Sequence, residues 1–197
     1  MNYLAHLFLA DGDEELIVGN FIADTVKGSR FKNFTGGIAN GILLHRHTDY
    51  FCDRHPMYLK TIHRLAPRHG KFSGIITDML YDHLLASLWR DFSHEKLEDF
   101  CKRTYSVLYA YQPIMPDDCK TLLSHMIRHN WLASYATIDG IETALRGLSR
   151  RMKYFYPLQE ALKDFQTGYK YFEDDFKTFF PLVQRHVKSE ILPAFEV

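Results

Sequence analysis

Apolar side chains recur at three- and four-residue spacing along almost the whole chain, and this periodicity most narrows what the chain can fold into. Leu, Ala, Phe and Tyr dominate the apolar positions, only six valines are present, and no convincing run alternates apolar with polar residues. The pattern predicts an all-α protein with a compact multi-helix architecture. The expected helices are residues 2–10, 15–30, 36–54, 57–66, 72–91, 94–112, 117–135, 139–153 and 155–192.

Several helix ends carry their own signals. Ser93 is an expected N-cap, and the stretch that starts at Asp139 resembles a capping box, because both place acidic groups near a helix start. Pro56 should end the helix before it, since proline disfavours helical geometry in the preceding residue. Pro181 falls inside a periodic segment, and we expect it to kink or split that helix.

Length, charge and cysteine usage restrict the function classes. The 197 residues suit a single domain spanning 1–197, and 24 basic residues balance 24 acidic ones. Neutrality argues against nucleic acid or an acidic membrane as a partner, and no apolar run is long enough to cross a bilayer. Three cysteines without zinc-motif spacing predict free thiols, and the start does not resemble a signal peptide, so we expect a cytoplasmic protein.

Polar residues at positions that should be apolar are the informative feature. His6 lies in an apolar helix, where a core histidine bonded to a backbone carbonyl is the simplest interpretation. Asn20 and Asp24 are four residues apart and share a helix face, with Lys27 close by. Asp24 and Lys27 either form a surface ion pair or belong to a site.

His45, Asp49 and Asp53 step by four residues and form one polar stripe on the next helix. The two carboxylates approach the negative C-terminal end of that helix, where they need a positive partner. Either a metal ion or the neighbouring Arg46 and Arg54 would supply the charge, and a solvated face is the alternative.

Asp78 and Asp82 are flanked by apolar residues on one face of a later helix. Burying two carboxylates without partners costs several kcal/mol, so this face predicts a cation or a hydrogen-bond network. His83 lies about 100° further round that helix and is placed to bind the same ion from the side. Imidazole and carboxylate together suit Mn²⁺, Fe²⁺ or Zn²⁺, and Mg²⁺ less well.

Four blocks together resemble the acyl carrier protein phosphodiesterases, and the similarity runs nearly end to end. They are MNYLAHLFLA at 1–10, GNFIADTVKG at 19–28, GILLHRHTD at 41–49 and DMLYDH at 78–83. The resemblance implies hydrolysis of the phosphodiester that links 4′-phosphopantetheine to a serine of holo-acyl carrier protein, which releases the apo form. It also implies a distant relation to the HD-type metal phosphohydrolases and an HD-like helical architecture, although the adjacent pair is reversed here, as Asp82-His83.

The resemblance and the residues together predict a divalent metal centre, with Mn²⁺ favoured and Mg²⁺, Fe²⁺ or Zn²⁺ as alternatives. The expected ligands are a subset of Asp24, His45, Asp49, Asp78, Asp82 and His83. Lys27 and Arg46 would neutralise the phosphate oxygens. Asp82 and His83 are the remaining catalytic candidates, and His83 is the first choice for a general acid.

Carrier proteins are acidic, so docking on this neutral chain should depend on a local basic surface. The candidates are Arg46 with Arg54, and the cluster from Arg146 to Lys153. Two other functions stay open: an HD-type phosphohydrolase of nucleotides or other small phosphate esters, and a non-enzymatic helical metal-binding protein.

Overall fold

The computed structural model describes residues 1–10 and 12–195. Eleven α-helices account for most of these residues, which contain no β-strand. The prediction of an all-α protein is therefore confirmed. The helices are α1 Tyr3–Leu9, α2 Glu14–Ile22, α3 Gly36–Cys52, α4 Pro56–His69, α5 Ser73–Ser87, α6 Leu97–Ala110, α7 Asp117–Arg128, α8 Trp131–Ser134, α9 Ile138–Arg151, α10 Ala161–Thr167 and α11 Tyr169–His186.

Three expected long helices are interrupted. The segment predicted as 15–30 ends as α2 at Ile22 and resumes as a 3₁₀ turn, Gly28–Asn33, because Gly28 adopts a φ of +60°. The segment predicted as 117–135 divides at Asn130, whose φ of +44° is left-handed. The segment predicted as 155–192 starts as the 3₁₀ turn Leu158–Glu160, divides at Gly168 between α10 and α11, and ends in a π-helical turn, Val187–Ile191.

Pro181 neither ends nor divides α11, so the predicted split was wrong. A proline costs a helix one hydrogen bond to the carbonyl four residues earlier, here that of Lys177. Both residues are exposed, so water can satisfy the freed carbonyl. Pro56, by contrast, behaves as expected: α3 ends at Cys52, and Pro56 begins α4.

Two predicted caps are replaced by nearby residues. The N-cap of α9 is Thr137, whose side chain accepts a hydrogen bond from the Gly140 amide, so Asp139 lies in the first helical turn. The N-cap of α6 is Lys96, and the Ser93 hydroxyl instead accepts from the Glu95 amide in the preceding turn.

Helices α2 and α3 pack so closely that no side chain would fit between their backbones at the point of contact. A Cβ atom on Gly19 would lie 2.1 Å from the Ile38 carbonyl oxygen and 2.8 Å from the Gly41 Cα. Both glycines are therefore required for this contact, which brings the polar faces of the two helices together.

Helix α5 runs through the centre of the protein. Eleven of its fifteen residues are buried, and it contacts α1, α4, α9 and α11. Aromatic side chains of α11, among them Phe176 and Phe179, pack on Tyr81 of α5. No helix in the described residues is both long enough and apolar enough to traverse a membrane.

Candidate metal centre

Helices α1 and α3 bring two histidines and one carboxylate to the same point. His6 Nε2 lies 3.0 Å from Asp49 Oδ1, and His45 Nε2 lies 3.3 Å from Asp49 Oδ2. The two imidazole rings stack with their centroids 3.8 Å apart. One potential ligand atom from each residue lies within 4.8 Å of the others, so the three side chains can share one ion.

Asp24 adds a second carboxylate on the solvent side. It follows α2 directly, and its Oδ1 lies 3.7 Å from His45 Nε2 with most of the side chain exposed. His45 lies on α3, so the close contact of α2 and α3 is what brings Asp24 to the cluster.

Asn20 holds both histidines in place from behind. Its Oδ1 accepts a hydrogen bond from His45 Nδ1 at 3.0 Å, and its Nδ2 donates to the His6 carbonyl oxygen at 3.1 Å. The first bond turns Nδ1 toward Asn20, so Nε2 is the ring nitrogen that faces Asp49. Such a partner behind the ring is the usual support for a metal-ligating histidine.

The cluster stabilises positive charge at the point where its ligand atoms meet. Burial opposes a charged His45, but bonds to Asp24 and Asp49 raise its pKa to about 9. Burial and the neighbouring His45 charge lower the pKa of His6 to about 4. The pKa of Asp49 falls far below its usual range, because bonds from both histidines outweigh its burial. Two imidazole nitrogens with carboxylates are a donor set that fits a divalent transition metal.

Cationic side chains surround this cluster in an open cavity of about 340 Å³. Asp24, His45 and Asp49 line it together with four further charged residues: Lys27, Arg46, Asp53 and Arg54. The Arg46 guanidinium donates to the carbonyl oxygens of Val26 at 2.6 Å and Gly28 at 2.9 Å, which fixes its position. An anionic group that reached the cluster would thus meet fixed positive charge.

Asp78 lies next to the cluster without joining it. The Met1 amino group lies 2.8 Å from Asp78 Oδ1 and 3.5 Å from Asp49 Oδ1, and the Tyr58 hydroxyl donates to Asp78. Asp78 therefore neutralises the buried ammonium that also faces Asp49.

Asp82 and His83, two of the predicted ligands, lie outside the group of potential ligand atoms that His6, His45 and Asp49 form. Asp82 is fully buried, and its two oxygens accept from the amides of Leu4 at 2.7 Å and Ala5 at 3.1 Å. The buried His83 donates from Nδ1 to the Tyr135 carbonyl oxygen at 2.7 Å. Backbone groups thus hold both side chains in the folded protein.

His6 is the residue that the sequence reasoning missed as a ligand candidate. Its apolar surroundings favoured a core histidine, and burial is correct, since the side chain is only 3% exposed. The available signal was that His6 lies in the block at 1–10, one of the four sequence blocks that carry the family resemblance.

The sequence matches known proteins over nearly its full length. The sequence profile described as acyl carrier protein phosphodiesterase matches residues 1–183. A protein of that name from Serratia proteamaculans is 28% identical over 193 residues, which cover 98% of this chain and 100% of the relative. The Yersinia pestis protein is 29% identical over 191 residues, covering 96% and 99%. That of Escherichia coli O6:H1 is 26% identical over 193 residues, covering 98% and 100%.

No solved structure matches this chain, so the relation to HD-type phosphohydrolases stays a prediction. The matched residues 1–183 include the whole cluster of His6, Asp24, His45 and Asp49. With a match over that length, the chain belongs to the acyl carrier protein phosphodiesterase family.

Proposed function

We propose that this protein is a metal-dependent phosphodiesterase that hydrolyses the 4′-phosphopantetheine–serine phosphodiester of holo-acyl carrier protein to give the apo form. The family to which the chain belongs supports the reaction. The observation that carries the proposal here is the convergence of His6, His45 and Asp49. His45 and Asp49 also line an open cavity together with Lys27 and Arg46.

His6, His45 and Asp49, with Asp24, are the residues that would hold the cation. When bound, a divalent metal supplies Lewis acidity toward the phosphoryl group and makes water acidic enough to act as a nucleophile near neutral pH. Mn²⁺ is the first choice for two imidazoles with carboxylates, ahead of Fe²⁺, Zn²⁺ and Mg²⁺.

The other residues of the small cavity have separate tasks. Lys27 and Arg46 neutralise charge on the non-bridging phosphate oxygens, which grows as the phosphorus is attacked. Asp53 takes the part first assigned to His83, donation of a proton to the leaving serine oxygen. Partial burial and the charge of Asp49 raise the pKa of Asp53, which favours its protonated form.

The experiment is incubation of the purified protein with holo-acyl carrier protein and Mn²⁺, followed by intact-mass measurement of the carrier protein. We expect loss of the phosphopantetheine mass, and no loss after chelation of the metal or with a His45→Ala variant. Faster hydrolysis of nucleotides or other small phosphate esters would favour the HD-type phosphohydrolase. Metal binding without hydrolysis of either substrate would favour a non-enzymatic protein.

We also propose that the protein works in the cytoplasm, where carrier-protein substrates would meet it in a reducing environment. Its three cysteines, Cys52, Cys101 and Cys119, are all free and buried, which suits such a compartment.

A further inference from the structure

A second, larger cavity begins where the small one ends. Its volume is about 1040 Å³, and it extends from Asp24 and the first residues of the chain to helix α9. Asp24 lines both cavities, so the two meet beside the histidine cluster. Ligand pockets in proteins usually have volumes of about 300–1,000 Å³, so this cavity can enclose a sizeable organic group.

The lining of the larger cavity combines apolar, hydrogen-bonding and charged side chains. Its charged residues balance, with three of each sign: Asp24, Asp78, Asp139, Arg146, Arg150 and Arg151. Ile75, Met79, Trp131 and Leu148 supply apolar surface. Ser134, Thr143 and His125 add hydrogen-bonding side chains along the same walls. Apolar and hydrogen-bonding groups in one cavity suit a chain of methylenes and amides, because each buried amide must find a partner.

We infer that this larger cavity binds the pantetheine arm of the substrate, with the phosphate end at Asp24 and the thiol end toward α9. The inference rests on the proposed function. A phosphodiester carries two substituents, and the serine of a folded carrier protein cannot enter a cavity. The carrier protein must therefore approach the open small cavity, and the flexible arm, which has two amides, a hydroxyl and a thiol, extends into the larger one.

Gly147 offers a way to fill the larger cavity without disturbing the helix that carries it. It lies within α9, lines the cavity, and a Cβ atom there would meet nothing within 4 Å. Gly147→Phe should place its ring in the space for the arm, while Gly147→Ala leaves most of that space open. Gly36 is exposed, has equally open space and lines neither cavity, so Gly36→Phe is the matched control.

The test compares holo-acyl carrier protein with methyl 4-nitrophenyl phosphate, a small diester that has no arm. For Gly147→Phe we expect KM for the carrier protein to rise about tenfold or more, with hydrolysis of the small diester unchanged within about twofold. Gly36→Phe should leave both substrates within about twofold of the wild type. Calorimetric titration with 4′-phosphopantetheine should show the same loss of affinity in Gly147→Phe alone.

Thr143→Trp, at an exposed position on the cavity wall, repeats the test if Gly147→Phe does not fold. An unchanged KM in a filled but folded variant would overturn the inference and leave the proposed function intact. A wild-type protein that hydrolyses the small diester but not the carrier protein would refute the proposed function, and the inference with it.

Discussion

Asp49 is the side chain that links the two histidines, because each of its oxygens faces a different imidazole Nε2. Replacing one oxygen with an amide nitrogen would leave one ring without its partner and place a donor where a ligand is needed. The function proposed above therefore depends on this residue more than on any other in the cluster.

Asp49→Asn should lower metal affinity by at least about 100-fold and abolish hydrolysis of both substrates. The measurement is metal content by elemental analysis after gel filtration, together with turnover. Asp53→Asn, one helical turn later, is the control for binding: it should retain the metal even if turnover falls. Equal metal content in the wild type and Asp49→Asn would remove Asp49 from the ligand set.

Asp82 should make the free energy of unfolding depend on pH. Burial raises its pKa from 3.8 to about 7, although the amides of Leu4 and Ala5 oppose the shift. The folded protein therefore binds this proton more tightly than the unfolded chain does. The stabilisation that the bound proton gives the folded state is complete below about pH 4 and is lost as pH rises through about 7. Asp82→Asn lacks the titrating group.

The stability of the wild type relative to Asp82→Asn should therefore decrease by as much as about 4 kcal/mol between about pH 4 and about pH 8. Urea unfolding of both proteins across this range measures the difference, and other titrating groups cancel because both proteins share them. An increase with pH would mean that the two amide bonds, and not burial, set the charge of Asp82.

Among the helices, the α2–α3 pair determines whether the metal centre can form at all. Asn20 and Asp24 come from α2 and the turn after it, whereas His45 and Asp49 come from α3. Only a glycine–glycine contact lets the two backbones approach closely enough for the 3.0 Å bond between Asn20 and His45.

Gly19→Ala should force α2 away from α3, because the added methyl group would lie 2.1 Å from the Ile38 carbonyl oxygen. We expect a loss of about 1–3 kcal/mol in the free energy of unfolding, as for other overpacked interiors, together with weaker metal binding. Chemical denaturation and metal titration provide both measurements.

Gly147→Ala is the matched control, since its methyl group enters open space in the middle of a helix. It should stabilise the protein by about 0.5–1 kcal/mol and leave metal affinity unchanged. A neutral Gly19→Ala would show that the two helices can separate without loss, which the close contact argues against.

For the whole molecule, docking of an acidic carrier protein should depend on the cationic rim of the small cavity. Arg54 is exposed there, with its guanidinium 3.6 Å from the Tyr50 ring centroid. The larger cavity has arginines of its own, Arg146, Arg150 and Arg151, but we infer that its interior receives the arm. We therefore favour the Arg46 and Arg54 side as the docking surface.

Arg54→Glu should raise KM for holo-acyl carrier protein by about threefold to tenfold, because repulsion replaces attraction at the rim, and should affect the small diester less. The wild-type KM should also rise with salt, since charges more than about 10 Å apart are screened near 0.1 M. A larger effect of Arg150→Glu than of Arg54→Glu would move the docking surface to the cluster from Arg146 to Lys153.

The all-helical class and the pairing of His45 with Asp49 could be derived from the sequence, because both depend on local geometry. Three- and four-residue spacing places side chains on one helix face whatever the rest of the chain does. The resemblance of four sequence blocks likewise gave the family, which the profile match confirms.

Only the tertiary structure decided which other polar residues join His45 and Asp49. Asp82 and His6 looked alike in the sequence, because each is a polar residue flanked by apolar ones in a helix. The two backbone amides at the start of α1 donate hydrogen bonds to Asp82. These bonds help to position α1 so that His6 contacts Asp49. Asp49 lies 43 residues from His6 in the sequence, and Asp82 lies 78 residues from Leu4. Contacts between such distant residues are set by helix packing, which no local spacing encodes.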